Sequence, residues 1–134
     1  MTTPTIGYYG ERLDLRIRQG ATFGPIQATM RNPVVPPAEL GTPVNLTGCT
    51  IRGQIRRKAL DVAIIASFAV TITSAANGQY EFGLSSATTA GITAGETLDA
   101  SLSKYVWDLE LVDATGRITP LYYGSVTVLR EVTR

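Results

Sequence analysis

Lys104-Tyr105-Val106-Trp107-Asp108-Leu109-Glu110-Leu111-Val112-Asp113 holds the only tryptophan of the 134-residue chain and its cleanest period-two pattern. Tyr105, Trp107, Leu109 and Leu111 fall on one side, and Val106, Asp108, Glu110 and Val112 on the other, as in a strand with one face buried. Asp113-Ala114-Thr115-Gly116 follows as a turn, in which Gly116 can take a positive φ that would strain a residue carrying a side chain. The chain returns through residues 117–129, so the two runs predict a long β-hairpin.

The same alternation extends upstream. Leu13, Leu15 and Ile17 alternate with Arg12, Asp14, Arg16 and Arg18, which predicts a first strand and leaves residues 1–11 as an N-terminal arm before a single domain over 12–134. Ile26, Ala28 and Met30 mark a second strand, with Pro25 at its start or on a sheet edge because proline cannot donate to a ladder. Cys49, Ile51 and Ile55 mark a third. Gly53 takes an inward position there, where a missing side chain leaves room for a large neighbour, and Trp107 is the expected one. Residues 64–72 read as a fourth strand with Phe68, Val70 and Ile72 inward. After a turn at Ala75-Ala76-Asn77-Gly78, Tyr80, Phe82 and Leu84 form a fifth inward row. Ser85 or Ser86 can cap a short helical stretch with Ala87, Ala90 and Ile92, limited by Gly91 and Gly95. About seven strands at this spacing, with no long crossover helix, predict an all-β antiparallel sandwich with one short helical turn. Its expected core is Leu15, Ile17, Ile51, Ile55, Phe68, Val70, Tyr80, Phe82, Trp107 and Leu109.

Composition narrows the chemistry. The chain has no histidine, which removes Ser-His-Asp and Cys-His catalysis and the common histidine-containing zinc sites. Cys49 is the single cysteine, so no intrachain disulfide can form, and its place in a strand pattern reads as a small core residue. No catalytic, cofactor-binding or metal-binding residue is expected. The net charge of +1 implies no bulk attraction to nucleic acid or to an acidic membrane. Arg52, Arg56, Arg57 and Lys58 form the one basic cluster. Without interleaved aromatic residues it reads as a solvated strand end or a salt-bridging edge. No signal-peptide pattern opens the chain, and no apolar run approaches the roughly 20 residues of a membrane-spanning helix, so synthesis in the cytoplasm is expected. Charged residues make up 17%, below the roughly 25% of an average soluble protein. Such a surface suits a protein packed against neighbours, and equally a small β domain with a threonine-rich solvent face.

Three stretches are candidate contact surfaces. Tyr8 and Tyr9 in the arm could dock on a partner or tuck against their own domain. Residues 33–43, with closely spaced prolines, form a stiff loop that is either a contact surface presenting Val34, Val35 and Leu40 or a tolerated hairpin insertion. Of Tyr122 and Tyr123, one must face outward if their strand is regular. Asp108 and Glu110 share the outward side about 7 Å apart. Opposite outward arginines, they read as cross-strand ion pairs before a catalytic carboxylate pair or a sugar site.

The order of these elements resembles a group of small tail-associated proteins of tailed bacteriophages. The resemblance rests on Gln19-Gly20-Ala21-Thr22-Phe23, on Pro43-Val44-Asn45-Leu46-Thr47-Gly48-Cys49-Thr50-Ile51-Arg52, on Tyr105 to Leu111, and on the closing stretch from Gly124 to Arg134. The domain is similar to the immunoglobulin-like N-terminal domain of phage upper-baseplate proteins. The proline-rich segment 33–43 departs from that pattern by being longer than the expected short turn. The resemblance implies an immunoglobulin-like sandwich and a non-enzymatic structural subunit of the virion, in the tail, baseplate or neck. Its partners would be other copies of itself, as a homo-oligomer, and other virion proteins. A head-decorating protein and a carbohydrate-binding module are the alternatives.

Overall fold

The computed structural model describes residues 10–32, 41–94 and 104–131. Among them are nine strands: β1 (Glu11–Arg12), β2 (Leu15–Arg18), β3 (Phe23–Thr29), β4 (Thr50–Arg56), β5 (Ala66–Ser67), β6 (Ala69–Ser74), β7 (Gln79–Leu84), β8 (Lys104–Val112) and β9 (Ile118–Leu129). One short helix, α1 (Ser86–Ala90), and a 3-10 turn at Ala75–Asn77 complete the set. The strands form two sheets. The larger runs β1-β9-β8-β4-β5, with β2 also paired to β9, and the smaller runs β3-β7-β6. The chain is an all-β sandwich.

The expected hairpin is β8 and β9, paired antiparallel from Lys104↔Thr127 to Val112↔Ile118. Asp113 fixes its turn. Its Oδ1 accepts hydrogen bonds from the Thr115 and Arg117 amides and the Thr115 hydroxyl, which hold the carboxyl below the usual carboxylate range, and Gly116 takes φ 88°. On its other side β8 pairs antiparallel with β4 in the register Arg52↔Glu110, Gly53↔Leu109, Ile55↔Trp107. Pro25 lies on β3, an edge strand, where the register with β7 shifts between Phe23 and Ile26. That is where a residue without an N–H does least harm. Ser85 caps α1 by accepting from the Thr88 amide.

Nine strands replace about seven because two of the expected runs are broken. The first breaks at Leu13-Asp14, and Leu13 is exposed rather than inward. Its carbonyl turns into the domain and accepts the Trp107 indole N–H at 2.7 Å, while its amide donates to the Tyr123 carbonyl. Both halves of this strand pair with β9 in parallel, so the larger sheet is mixed at that edge. The arm expected over 1–11 is correspondingly shorter, since Glu11 already pairs with Tyr122. The second break comes at Phe68. Ala66–Ser67 belongs to the larger sheet and Ala69–Ser74 to the smaller, so the chain changes sheets at a buried phenylalanine whose amide donates to the Gly53 carbonyl.

Trp107, Phe68 and Phe82 join the two sheets. The Phe68 ring lies 5.4 Å from Trp107 and 5.7 Å from Phe82, and Phe82 stacks on Trp107 at 5.7 Å. Offset and edge-on pairs of this kind contribute about 0.5–1.5 kcal/mol each beyond the area they bury. Around them Leu15, Ile17, Ile51, Ile55, Tyr80 and Leu109 are buried as expected, and Val70 is half-buried against the same cluster. The space at Gly53 is not filled by Trp107. A Cβ there would lie 2.6 Å from Leu109 Cδ1 and 3.2 Å from Phe68 Cδ2, because the register sets Gly53 opposite Leu109. Cys49 is half-buried at the margin of the core.

Candidate interaction surface

The β4 strand ends at Arg56, and the chain then loops out through residues 57–65 before entering β5. Leu60 is 96% exposed and Val62 90%, and Ile64 and Ile65 are also exposed. Single exposed apolar side chains are ordinary, but four within six residues form a patch. The loop is held in shape. Arg56 donates from Nη1 to the carbonyls of Asp61 and Val62, and from Nη2 to Gln54 Oε1 at 2.8 Å. Ile65 returns the chain to the sheet by donating a hydrogen bond from its amide to the Ile55 carbonyl. Among the described residues the sheet path ends at β5, which is paired there on one side only, by Gln54↔Ser67 and Ile55↔Ala66. An apolar patch therefore adjoins an open strand edge, the arrangement that accepts an added strand from another chain.

The basic cluster is dispersed around this loop. Arg52 pairs with Glu110 through Nε–Oε1 at 2.5 Å, the expected cross-strand ion pair. The Arg57 guanidinium lies 5.7 Å over the buried Tyr105 ring. Lys58 is exposed.

The outward side of the larger sheet carries a second feature, a depression of about 690 Å³ whose lining includes Arg12, Arg52, Gln54, Asp108 and Tyr123. Asp108 lies opposite Gln54 and Tyr123 rather than an arginine. Desolvation, then the charge of Glu110, raise its pKa, against the pull of Arg56 and Arg52. A carboxyl whose pKa is higher folded than unfolded binds its proton more tightly when folded. The ionised form thus costs stability above the folded pKa, and the cost fades as pH falls toward the ordinary value of 3.8. Asp108→Asn is expected to raise the urea midpoint at pH 7, with the gain over wild type shrinking as pH is lowered toward 4. A gain that does not vary with pH would contradict this origin.

Of the expected contact residues, Tyr123 faces out and is 44% exposed. Tyr122 faces inward. It is half-buried and stacks on Trp107 at 6.2 Å with the ring planes 13° apart. Tyr8, Tyr9, Val34, Val35 and Leu40 lie outside the described residues. The ends of the proline-rich loop are clamped, with Arg31 bridged to Pro43 and the Asn32 amide donating to the Thr42 carbonyl. The sequence reading does not anticipate the patch at 60–65, because it takes Ile64 and Ile65 as the start of the fourth strand. Its signal was present in Val62-Ala63-Ile64-Ile65, an apolar run with no polar alternate. Among the described residues no group of three or more aspartate, glutamate, cysteine or histidine side chains is placed to hold a metal ion. No protein-family model matches the chain, and no curated protein does.

Proposed function

We propose that the chain is a non-enzymatic structural subunit of a tailed-phage virion, in the tail, baseplate or neck, and that it works as an assembly module. The observation that carries this is the preformed apolar loop beside the open β5 edge, a surface suited to a neighbouring protein. The sequence resemblance supports it. So does the strand partition, in which β3, β6 and β7 face a sheet built on β4, β8 and β9, the division found in immunoglobulin-like sandwiches. The Tyr105 hydroxyl, at the start of β8, donates back to the Thr93 carbonyl at 2.8 Å, as a tyrosine corner does. Trp107, two residues on, sits where an antibody domain would place a half-cystine.

The test is the native mass of the full chain, alone and mixed with proteins released from phage particles. A complex with a tail, baseplate or neck protein identified by mass spectrometry, lost in a Leu60→Ser, Val62→Ser variant, is the expected result. A chain that ignores virion proteins, or one whose complex is untouched by those substitutions, would contradict the reading.

A second reading, a saccharide-binding module, is favoured by the outward depression with Tyr123 and Asp108. Trp107 cannot serve as its stacking ring, being only 3% exposed, so Tyr123 would act alone. Saccharide binding that is lost on Tyr123→Ala would carry that reading, and unchanged tyrosine fluorescence across a saccharide panel would remove it.

A further inference from the structure

We propose that the apolar loop at residues 57–65 and the β5 edge receive residues 1–9 of a neighbouring copy of this chain, so that copies join head to tail. The inference rests on the assembly reading above and names the partner.

The donor is identified by its chemistry. Met1-Thr2-Thr3-Pro4-Thr5-Ile6-Gly7-Tyr8-Tyr9 carries no charged side chain and four large apolar or aromatic ones. In an added strand Ile6 and Tyr8 fall on the same side, where Leu60, Val62 and Ile64 can cover them. Pro4 lies just upstream of them, where a missing N–H does not interrupt the pairing. The acceptor is flanked by Arg57 and Lys58 with Asp61 between Leu60 and Val62, so a segment without cationic side chains meets little repulsion there.

Placement decides between a chain's own loop and a neighbour's. Residues 1–9 join the sandwich at Gly10, next to the backbone of Leu121, on the sheet edge opposite β5. Four strand spacings separate the two edges, about 19 Å. The two edges lie level across the sheet, since Arg12 pairs with Tyr123, Tyr123 with Asp108, Asp108 with Gln54 and Gln54 with Ser67, while the loop leaves from Arg56, level with Val106 and through it Ser125. A return to its own β5 would require reversal across the outward face, laying Ile6 and the tyrosines over Arg52, Glu110 and Asp108. A neighbouring copy brings its β5 edge alongside without that crossing, and nine extended residues reach about 30 Å. Donor and acceptor are different surfaces, so the contact is heterologous and repeats into a ring or a filament.

The test uses two full-length variants, an arm variant (Ile6→Ser, Tyr8→Ser) and a loop variant (Leu60→Ser, Val62→Ser), measured by light scattering after size exclusion. Far-ultraviolet circular dichroism and Trp107 emission first establish that each is folded. The wild type is expected to associate as concentration rises. Each variant alone is expected to stay at 14.3 kDa, and an equimolar mixture to form a species of twice that mass and nothing larger, because one intact arm meets one intact loop. An arm variant that associates like wild type would overturn the inference in favour of loop-to-loop contact. A mixture that stays monomeric while wild type associates would overturn it too. A wild type that is monomeric at every concentration overturns it as well, yet leaves the virion-subunit reading to the separate experiment with phage proteins.

Discussion

Replacing Trp107 with alanine is expected to lower the free energy of unfolding by about 3–5 kcal/mol. The ring touches Phe68 and Phe82, which come from the chain segments facing it, and Tyr122 on its own sheet. Removing it opens a cavity where the two sheets meet, and the neighbouring rings lose contact atoms they cannot recover by small shifts. The indole also supplies the donor for the Leu13 carbonyl, which ties the break between β1 and β2 to the centre of the domain. Against the total of about 5–15 kcal/mol typical of a domain, a loss of this size leaves the fold marginal. Urea unfolding followed by circular dichroism measures it. Trp107→Phe keeps most of the packing but not the donor, and about 1–3 kcal/mol is expected for it. An alanine variant within 1 kcal/mol of wild type would contradict the central place given to this ring.

Gly124→Val is expected to cost about 2–4 kcal/mol, the sum of overpacking and a lost hydrogen bond. A Cβ at this position would lie 2.2 Å from the Leu13 carbonyl oxygen and 2.8 Å from its carbon, both backbone atoms that cannot swing aside. The N-terminal strand must then move off β9. The Trp107 bond to Leu13 goes with it, as does the bond from the Ser125 amide to Asp14 Oδ1. The effect is therefore local in cause and wide in reach. Amide exchange of Leu13, whose N–H donates to Tyr123, should rise before global unfolding. Unchanged protection there together with an unchanged urea midpoint would show that the contact is not a tight one.

These two positions also mark how far the sequence could be read. Strands β4 and β8 were legible because every second residue is apolar and one face of each is buried, and Tyr105, Trp107, Leu109 and Leu111 are all inward as their spacing requires. The turns were legible where a short-range cause exists, as in the Asp113 side chain that organises its own loop. Alternation says which way a side chain points, but not which distant residue it meets. Gly53 is thus opposed by Leu109 and Phe68 through a register that no local pattern encodes. The break at Leu13 depends on a tryptophan 94 positions away in the sequence. The parallel pairing of the first strand with the last is likewise a property of the assembled sheet. Ile64 and Ile65, expected within the fourth strand, lie outside it for a different reason. An apolar run is the mark of a strand buried on both faces, and only the end of the sheet at β5 leaves this one in solvent. Of the surface residues, Tyr123 faces outward and Tyr122 inward as alternation with Gly124, Val126 and Val128 requires, whereas Leu121 is buried beside Tyr122 because the register of β8 and β9 shifts between Leu109 and Glu110.

Assembly through this surface requires that the β5 edge and its loop become covered. Hydrogen exchange of the full-length chain, compared between dilute monomer and assembled material, reads this directly at residues 57–67. The expected result is slowed exchange across that segment, centred on Ala66 and Ser67, with the interior strands unchanged. Exchange that stays fast at 57–67 while protection appears on the outward face around Tyr123 would contradict it.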